Sequence, residues 1–281
     1  MSLVEIEPLG AAAGARLHGV DLSQPMGDNL FGEIRQALLD HLVIVFPDQH
    51  ITPDQQKAFG ERFGSLNIHP HVAPLPGHPE ILNIVKEPDE KLNFGGGWHS
   101  DMTFLPEPVL GSILYAKEIP ARGGDTMWAN AYLAYDRMSE AMKAMLTPLN
   151  AVHTANEIYG ADGIYADPRH PASDKSLEAE AAVAETKHPI IRTHPETGRK
   201  LIFVNPAFTT RIAGMSKPES KPILSFLFEQ ITKPEHVFRH RWSANDVVMW
   251  DNRCTQHYAL NDYHGQRREM HRVTVNGDRP Y

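Results

Sequence analysis

The sequence predicts a mostly β protein: a two-sheet jelly roll with helices packed around it. Two observations carry that expectation. Short runs rich in Val, Ile, Thr and aromatic residues recur along the chain, each bounded by Gly, Pro, Asn or Asp. The strands also bunch, above all between Val237 and Val275, whereas a doubly wound α/β sheet would alternate them with helices.

Residues 1–20 read as short strands, with Gly10 to Leu17 a turn into an edge segment. Asp28 is expected to cap a helix running to about His41, with Phe31, Ile34, Leu38 and Leu39 at helical spacing on one face. Leu42 to Phe46 is wholly apolar and reads as a buried strand, ended by Pro47-Asp48. Thr52-Pro53-Asp54-Gln55 is a capping-box signature for a helix to about Phe63. Asn67 to Pro79 is loop, Glu80 to Lys86 alternates as a strand, and Glu87 to Asn93 is a charged loop. Val109 to Lys117 is the next strand, and Arg122-Gly123-Gly124-Asp125 is a tight turn before Thr126.

Two short helices follow. The second is capped by Ser139 and carries Met142, Met145 and Leu146, read as core packing. Leu149 to Thr154 is a strand, and 156–187 reads as a long insertion over the site, with a possible helix from Ser176 to Ala184. Strands resume at Pro189 to Thr193 and Leu201 to Val204. Ser216-Lys217-Pro218-Glu219 opens a helix with Ile223, Leu224, Leu227 and Phe228 inward. The last strands are Val237–Trp242, Asp246–Trp250, Thr255–Leu260 and Met270–Val275.

Bulk properties bound the function. The chain has 281 residues and a net charge of −8. No repeat or linker divides it, so 1–281 is read as one domain. An acidic balance argues against general nucleic-acid binding, which needs a basic footprint. One cysteine, Cys254, excludes an internal disulfide and fits a cytoplasmic protein, its thiol read as buried and inert. No signal peptide is expected in Met1 to Glu7, and no apolar run approaches the roughly 20 residues of a membrane span.

The stretch that suggests chemistry is Gly95-Gly96-Gly97-Trp98-His99-Ser100-Asp101. In an extended strand His99 and Asp101 would face the same side. A distant His257 follows a predicted strand, and Arg268 and Arg272 lie downstream of it. Two His and one carboxylate with open positions is the ligand set of non-haem Fe(II) oxygen chemistry. An isolated His-x-Asp is common by chance. Two rivals stand beside the oxygenase: a non-catalytic metal-binding β-sandwich and a zinc hydrolase. The latter lacks the HExxH helix that would favour it.

Several motifs together resemble the taurine dioxygenase / 2,4-dichlorophenoxyacetate dioxygenase family of Fe(II)- and 2-oxoglutarate-dependent oxygenases. They are Trp98 to Phe104, Gly123 to Thr126, Phe203-Val204-Asn205, Phe208 to Arg211, Trp250 to Arg253, Thr255-Gln256-His257, and Arg268 with Met270-His271-Arg272. The resemblance implies a distorted double-stranded β-helix in which His99, Asp101 and His257 hold Fe(II). It implies that Arg268, helped by Thr126, holds the far carboxylate of 2-oxoglutarate. Arg272, with His69, would bind the acidic group of a small anionic substrate in a pocket lined by Phe208. O2 would be consumed, succinate and CO2 released, and the substrate hydroxylated beside a heteroatom and cleaved. The substrate would be a sulfonate, an alkyl sulfate or an aryloxyalkanoate. Val72 and Gly95 stand where the taurine enzyme has Tyr and Asn, which implies a roomier, more apolar pocket. A homo-oligomer, dimer or tetramer, is expected from base rates among soluble enzymes.

Overall fold

Long-range pairing brings strands from both ends of the chain into one sheet. The structure is a computed structural model that describes residues 3–166 and 184–281. The first hairpin joins β1 (Glu5–Pro8) to β2 (Ala15–His18), and helix α1 (Asp28–His41) leads into β3 (Val43–Phe46), which is buried at every position. Helix α2 (Pro53–Glu61) precedes β4 (Ile81–Lys86) and β5 (Gly111–Glu118). Next come β6 (Thr126–Asn130), α3 (Ala131–Asp136), α4 (Glu140–Leu146), β7 (Asn150–Thr154) and α5 (Asn156–Tyr159). After a short 3-10 turn at Ile164–Ala166 the described chain resumes in β8 (Glu185–Pro189), β9 (Ile191–Thr193), β10 (Lys200–Ile202) and β11 (Thr209–Ile212). Helix α6 (Lys217–Ile231) is followed by β12 (Val237–His240), β13 (Val247–Asp251), β14 (Thr255–Ala259) and β15 (Arg268–Val275).

The major sheet runs β1-β2-β3-β13-β5-β15-β4, antiparallel except where β2 meets β3. Facing it are β12-β6-β14 and β11-β7-β8, with the β9-β10 hairpin beside them. This is the distorted jelly roll expected from the sequence. Period-2 alternation divides the major sheet's side chains between two cores. Outward, Ile44, Phe46, Ile113 and Met249 pack against Ile34 and Leu38 of α1 and Phe59 of α2. Inward, Val43, Val45, Leu114 and Trp250 meet Trp128 and Phe238 of the second layer. A third cluster seats Leu224, Leu227 and Ile231 of α6 against Ala129 and Ile202. A fourth, with Val72, Leu82, Phe104, Tyr159, Tyr165 and Phe208, lies at one end of the barrel. Among the described residues, no helix is long and apolar enough to cross a membrane.

Both capping boxes form: Thr52 with Gln55 at α2, and Ser216 with Glu219 at α6. Other expectations need correction. The N-cap of α1 is the extended Gly27, without a side-chain cap; Asp28 is already helical and its carboxylate pairs with Arg62 at 2.7 Å. Met145 is 45% exposed, so only Met142 and Leu146 of that stripe pack inward. The insertion read at 156–187 is described only at its ends, where α5, the 3-10 turn and the start of β8 are ordered elements. The rest of it, with the possible helix from Ser176, lies outside the described residues up to 183.

Candidate active site

Glycine and backbone pairing, rather than a continuous strand, present the His-x-Asp pair. His99 forms a two-way backbone bridge with His257, N–H to carbonyl at 3.1 Å and 2.7 Å. Asp101 lies beyond that bridge, in a turn, so the expected strand geometry does not explain how it faces His99. Asn252 does. Its side chain accepts from the Asp101 N–H at 2.7 Å and donates to the Asp101 carbonyl at 3.0 Å. Gly95 sits at φ +74, a left-handed conformation that suits glycine, and a Cβ there would lie 3.3 Å from the His99 ring.

The three side chains converge. Asp101 Oδ1 lies 3.7 Å from His99 Nε2 and 3.9 Å from His257 Nε2. One ligand atom from each lies within 4.8 Å of the others, and all three residues are buried. The groups behind them suit a metal. His99 Nδ1 donates to the Gly97 carbonyl at 2.7 Å, which leaves the Nε2 lone pair facing Asp101. Asp101 Oδ2 accepts from the Ser112 hydroxyl at 2.9 Å, leaving Oδ1 to the site. Burial pushes both imidazoles below their ordinary value, so they are neutral, as ligands need to be. Burial pushes the Asp101 carboxyl up, but the Arg272 guanidinium and the Ser112 hydroxyl pull it down, and the group stays below the usual carboxylate range. Two neutral imidazoles and an ionised carboxylate, desolvated and convergent, fit a divalent ion of the Fe(II) type.

A cavity of about 640 Å³ leads to His99 and Asp101. Phe94, Trp98, Tyr159, Tyr165, Phe208 and Tyr258 supply much of its wall. His69 is also on it. Its Nδ1 accepts from the His71 N–H at 3.1 Å, its Nε2 faces the Tyr159 hydroxyl at 3.4 Å, and burial pushes its pKa down to about 3. Arg272 reaches the same Asp101 Oδ1 that faces the imidazoles, 3.1 Å from its Nη1, and its guanidinium lies 5.5 Å from the ring centre of Phe94 on the cavity wall. Thr126 and Arg268 meet around Trp242. The indole N–H donates to Thr126 Oγ1 at 3.0 Å, leaving the hydroxyl proton available, and the Arg268 guanidinium lies 5.9 Å from the indole centroid. Arg268 is buried, and its Nε and Nη2 have no hydrogen-bond partner among the described residues.

Sequence reasoning missed Ser112, Tyr159, Tyr165 and Trp242, and it gave Asn252 no role. Asn252 lies in the flagged run Trp250 to Arg253, but Ser112 lies in an apolar strand with nothing to mark it. A second cluster, His194, Asp251 and Cys254, also has ligand atoms within 4.8 Å. It does not fit a metal. Both Asp251 oxygens accept from Arg253, at 2.9 and 2.7 Å, and His194 Nδ1 accepts backbone N–H groups from Glu196 and Thr197. Cys254 is buried there, and burial raises its thiol well above the ordinary value.

Comparison with known proteins agrees with this geometry. An alkylsulfatase of Acinetobacter baylyi is 36% identical over 276 residues, covering 98% of this chain and 86% of that protein. An alpha-ketoglutarate-dependent sulfate ester dioxygenase of Pseudomonas putida is 34% identical, covering 99% and 91%. The crystal structure of a taurine dioxygenase from Burkholderia xenovorans superposes with a TM-score of 0.83 at 35% identity, over 99% of this chain and 92% of that one. Residues 5–274 match the model of a single family throughout, across the His99–His257 bridge and both arginines of β15, and the chain belongs to that family, the taurine catabolism dioxygenase TauD, TfdA family.

Proposed function

We propose that the protein is an Fe(II)- and 2-oxoglutarate-dependent dioxygenase that hydroxylates a small anionic organic substrate beside a heteroatom. One observation carries the reading: Asp101 Oδ1 stands 3.7 and 3.9 Å from two neutral imidazole nitrogens at the end of an aromatic-lined cavity. His99, Asp101 and His257 would hold the ion. When bound, it supplies activation of O2 coupled to oxidative decarboxylation of 2-oxoglutarate to succinate and CO2.

The side chains do the rest. Arg268 offers Nε and Nη2 hydrogens without partners among the described residues, and a planar guanidinium takes a carboxylate through paired hydrogen bonds. Thr126 adds its hydroxyl proton. Arg272 and His69 would orient the acidic group of the substrate, and Phe208, Phe94 and Tyr165 would exclude water from its apolar part. The substrate class is a sulfonate, alkyl sulfate or aryloxyalkanoate. The described ends of 156–187 contribute Tyr159 and Tyr165 to the cavity wall, which supports a covering role for that segment within a single domain. A cytoplasmic homo-oligomer is the setting we infer.

The test is O2 uptake and succinate formation with Fe(II), 2-oxoglutarate and a panel of such acids. At least one acid should give stoichiometric succinate, and His99→Ala should abolish it. No 2-oxoglutarate turnover with any acid, or full turnover in His99→Ala, would overturn the reading. Arg268→Ala should raise KM for 2-oxoglutarate, and Arg272→Ala that for the organic acid, each about tenfold or more. The reverse pattern would exchange the two roles.

A further inference from the structure

Strand β4 is an edge of the major sheet, and its last residue, Lys86, is only 2% exposed. Lysine at a sheet edge ordinarily extends its ammonium into water. This one turns inward. Its Nζ lies 4.6 Å from the centre of the buried Tyr263 ring and has no hydrogen-bond partner among the described residues.

The register shows what it faces. Lys86 pairs directly with Arg268 across the β4–β15 ladder, as Ile84 pairs with Met270 and Leu82 with Arg272. Directly opposed residues of antiparallel strands project to the same side of the sheet. That side is the inner one, because Arg272 reaches Asp101 and Met270 packs with Trp250 and Trp128. Lys86 therefore lies beside Arg268, whose Nε and Nη2 are likewise unpartnered.

The neighbouring acids are committed elsewhere. Arg267 holds Glu87, Glu118 and Glu269, and Glu90 accepts from the Glu87 N–H. Asp125 pairs with Arg239 at 2.7 Å, and Asp262 accepts from the Gly124 N–H. Among the described residues, neither Lys86 nor Arg268 has an ion-pair partner. Two adjacent buried cations with unmade hydrogen bonds destabilise the free protein and favour an anion between them.

We propose that Lys86 is a second cationic residue of the 2-oxoglutarate subsite, donating from Nζ to the far carboxylate that Arg268 also grips. The inference rests on the reading of Arg268 as that carboxylate's partner. It adds a positioning and specificity role: Lys86 selects keto acids that carry a second carboxylate and makes no difference to those that lack one.

Equilibrium binding separates the possibilities. Dissociation constants for 2-oxoglutarate and for 2-oxopentanoate, which lacks the far carboxylate, would be measured by calorimetry on Mn(II)-loaded wild type, Lys86→Met, Lys86→Arg and Arg268→Ala. Melting temperatures would be measured without ligand. Lys86→Met should weaken 2-oxoglutarate about tenfold, a charge-assisted hydrogen bond's worth, and leave 2-oxopentanoate unchanged. Lys86→Arg should retain most of the affinity. Lys86→Met should also melt higher than wild type, since it removes an uncompensated buried charge. Unchanged 2-oxoglutarate binding in Lys86→Met, with a loss in Arg268→Ala, would overturn the role of Lys86 alone. Unchanged binding in Arg268→Ala would overturn the underlying reading. Equal weakening of both keto acids, a lower melting temperature, or failure of Lys86→Met to fold would make Lys86 structural and overturn the proposal.

Discussion

Asp101 shows how much of a metal site lies outside its ligands. Its Oδ2 is taken by Ser112, its backbone is held from both sides by Asn252, and its Oδ1 faces two imidazoles and Arg272. Removing the Ser112 hydroxyl frees the carboxylate to rotate. Ser112→Ala is expected to lower Fe(II) affinity about 10- to 100-fold with the fold intact, as for other supporting partners of ligands. Metal titration followed by circular dichroism checks both halves of that statement. The proposed ligands were legible as candidates, because His and Asp types at this spacing beside a glycine run carry chemical meaning. Their supports were not. Ser112 is one small residue in an apolar strand, and its partner stands 11 positions away along the chain, reached only once β5 is in the sheet. Arg272 was legible as a candidate substrate-binding cation, but its contact with Asp101 depends on the register of β15, which no local pattern encodes.

Elements marked by their own side chains were the readable ones. The capping boxes at Thr52 and Ser216 specify their helices locally, and both form. Strand β11 went unread because Thr209–Ile212 lacks alternation and owes its conformation to β7. Strands β7 and β8 carry a pH-sensitive pair, His153 and His188, both fully buried. His188 Nε2 donates to the carbonyls of Thr103 and Leu105 at 2.9 and 3.0 Å. Burial pushes its pKa from 6.5 down to about 4, against the opposing pull of those two carbonyls. The unfolded chain therefore binds a proton between pH 6.5 and 4 that the folded chain refuses. Stability is fully present above that window and falls as the pH drops through it, by about 1.4 kcal/mol per pH unit for one proton. His153, also held well below its ordinary value by burial, steepens the fall. Denaturant unfolding at pH 7, 6 and 5 should show this slope, and His188→Gln should flatten it by about one proton.

At the scale of the molecule, the class of fold was legible and its strand order was not. Bunched short strands imply two layered sheets, but nothing local says that β15 inserts between β5 and β4. Such order follows from long-range pairing. A chain ended after residue 266 lacks β15 and leaves β4 and β5 unjoined; it should show no cooperative thermal transition by circular dichroism, and a sharp melt would contradict that dependence. The backbone bridge between His99 and His257 carries a consequence for biogenesis. On the ribosome, the first imidazole and the aspartate emerge long before their third companion, so the growing polypeptide offers an incomplete chelate. Iron capture then waits for the last β-strands, and Arg268 follows His257 by only 11 positions. On the proposed assignment of His257 and Arg268, the ion's site and the grip on its keto acid would come into being almost together, which would shorten the interval in which a bound ferrous ion meets oxygen without a reductant beside it.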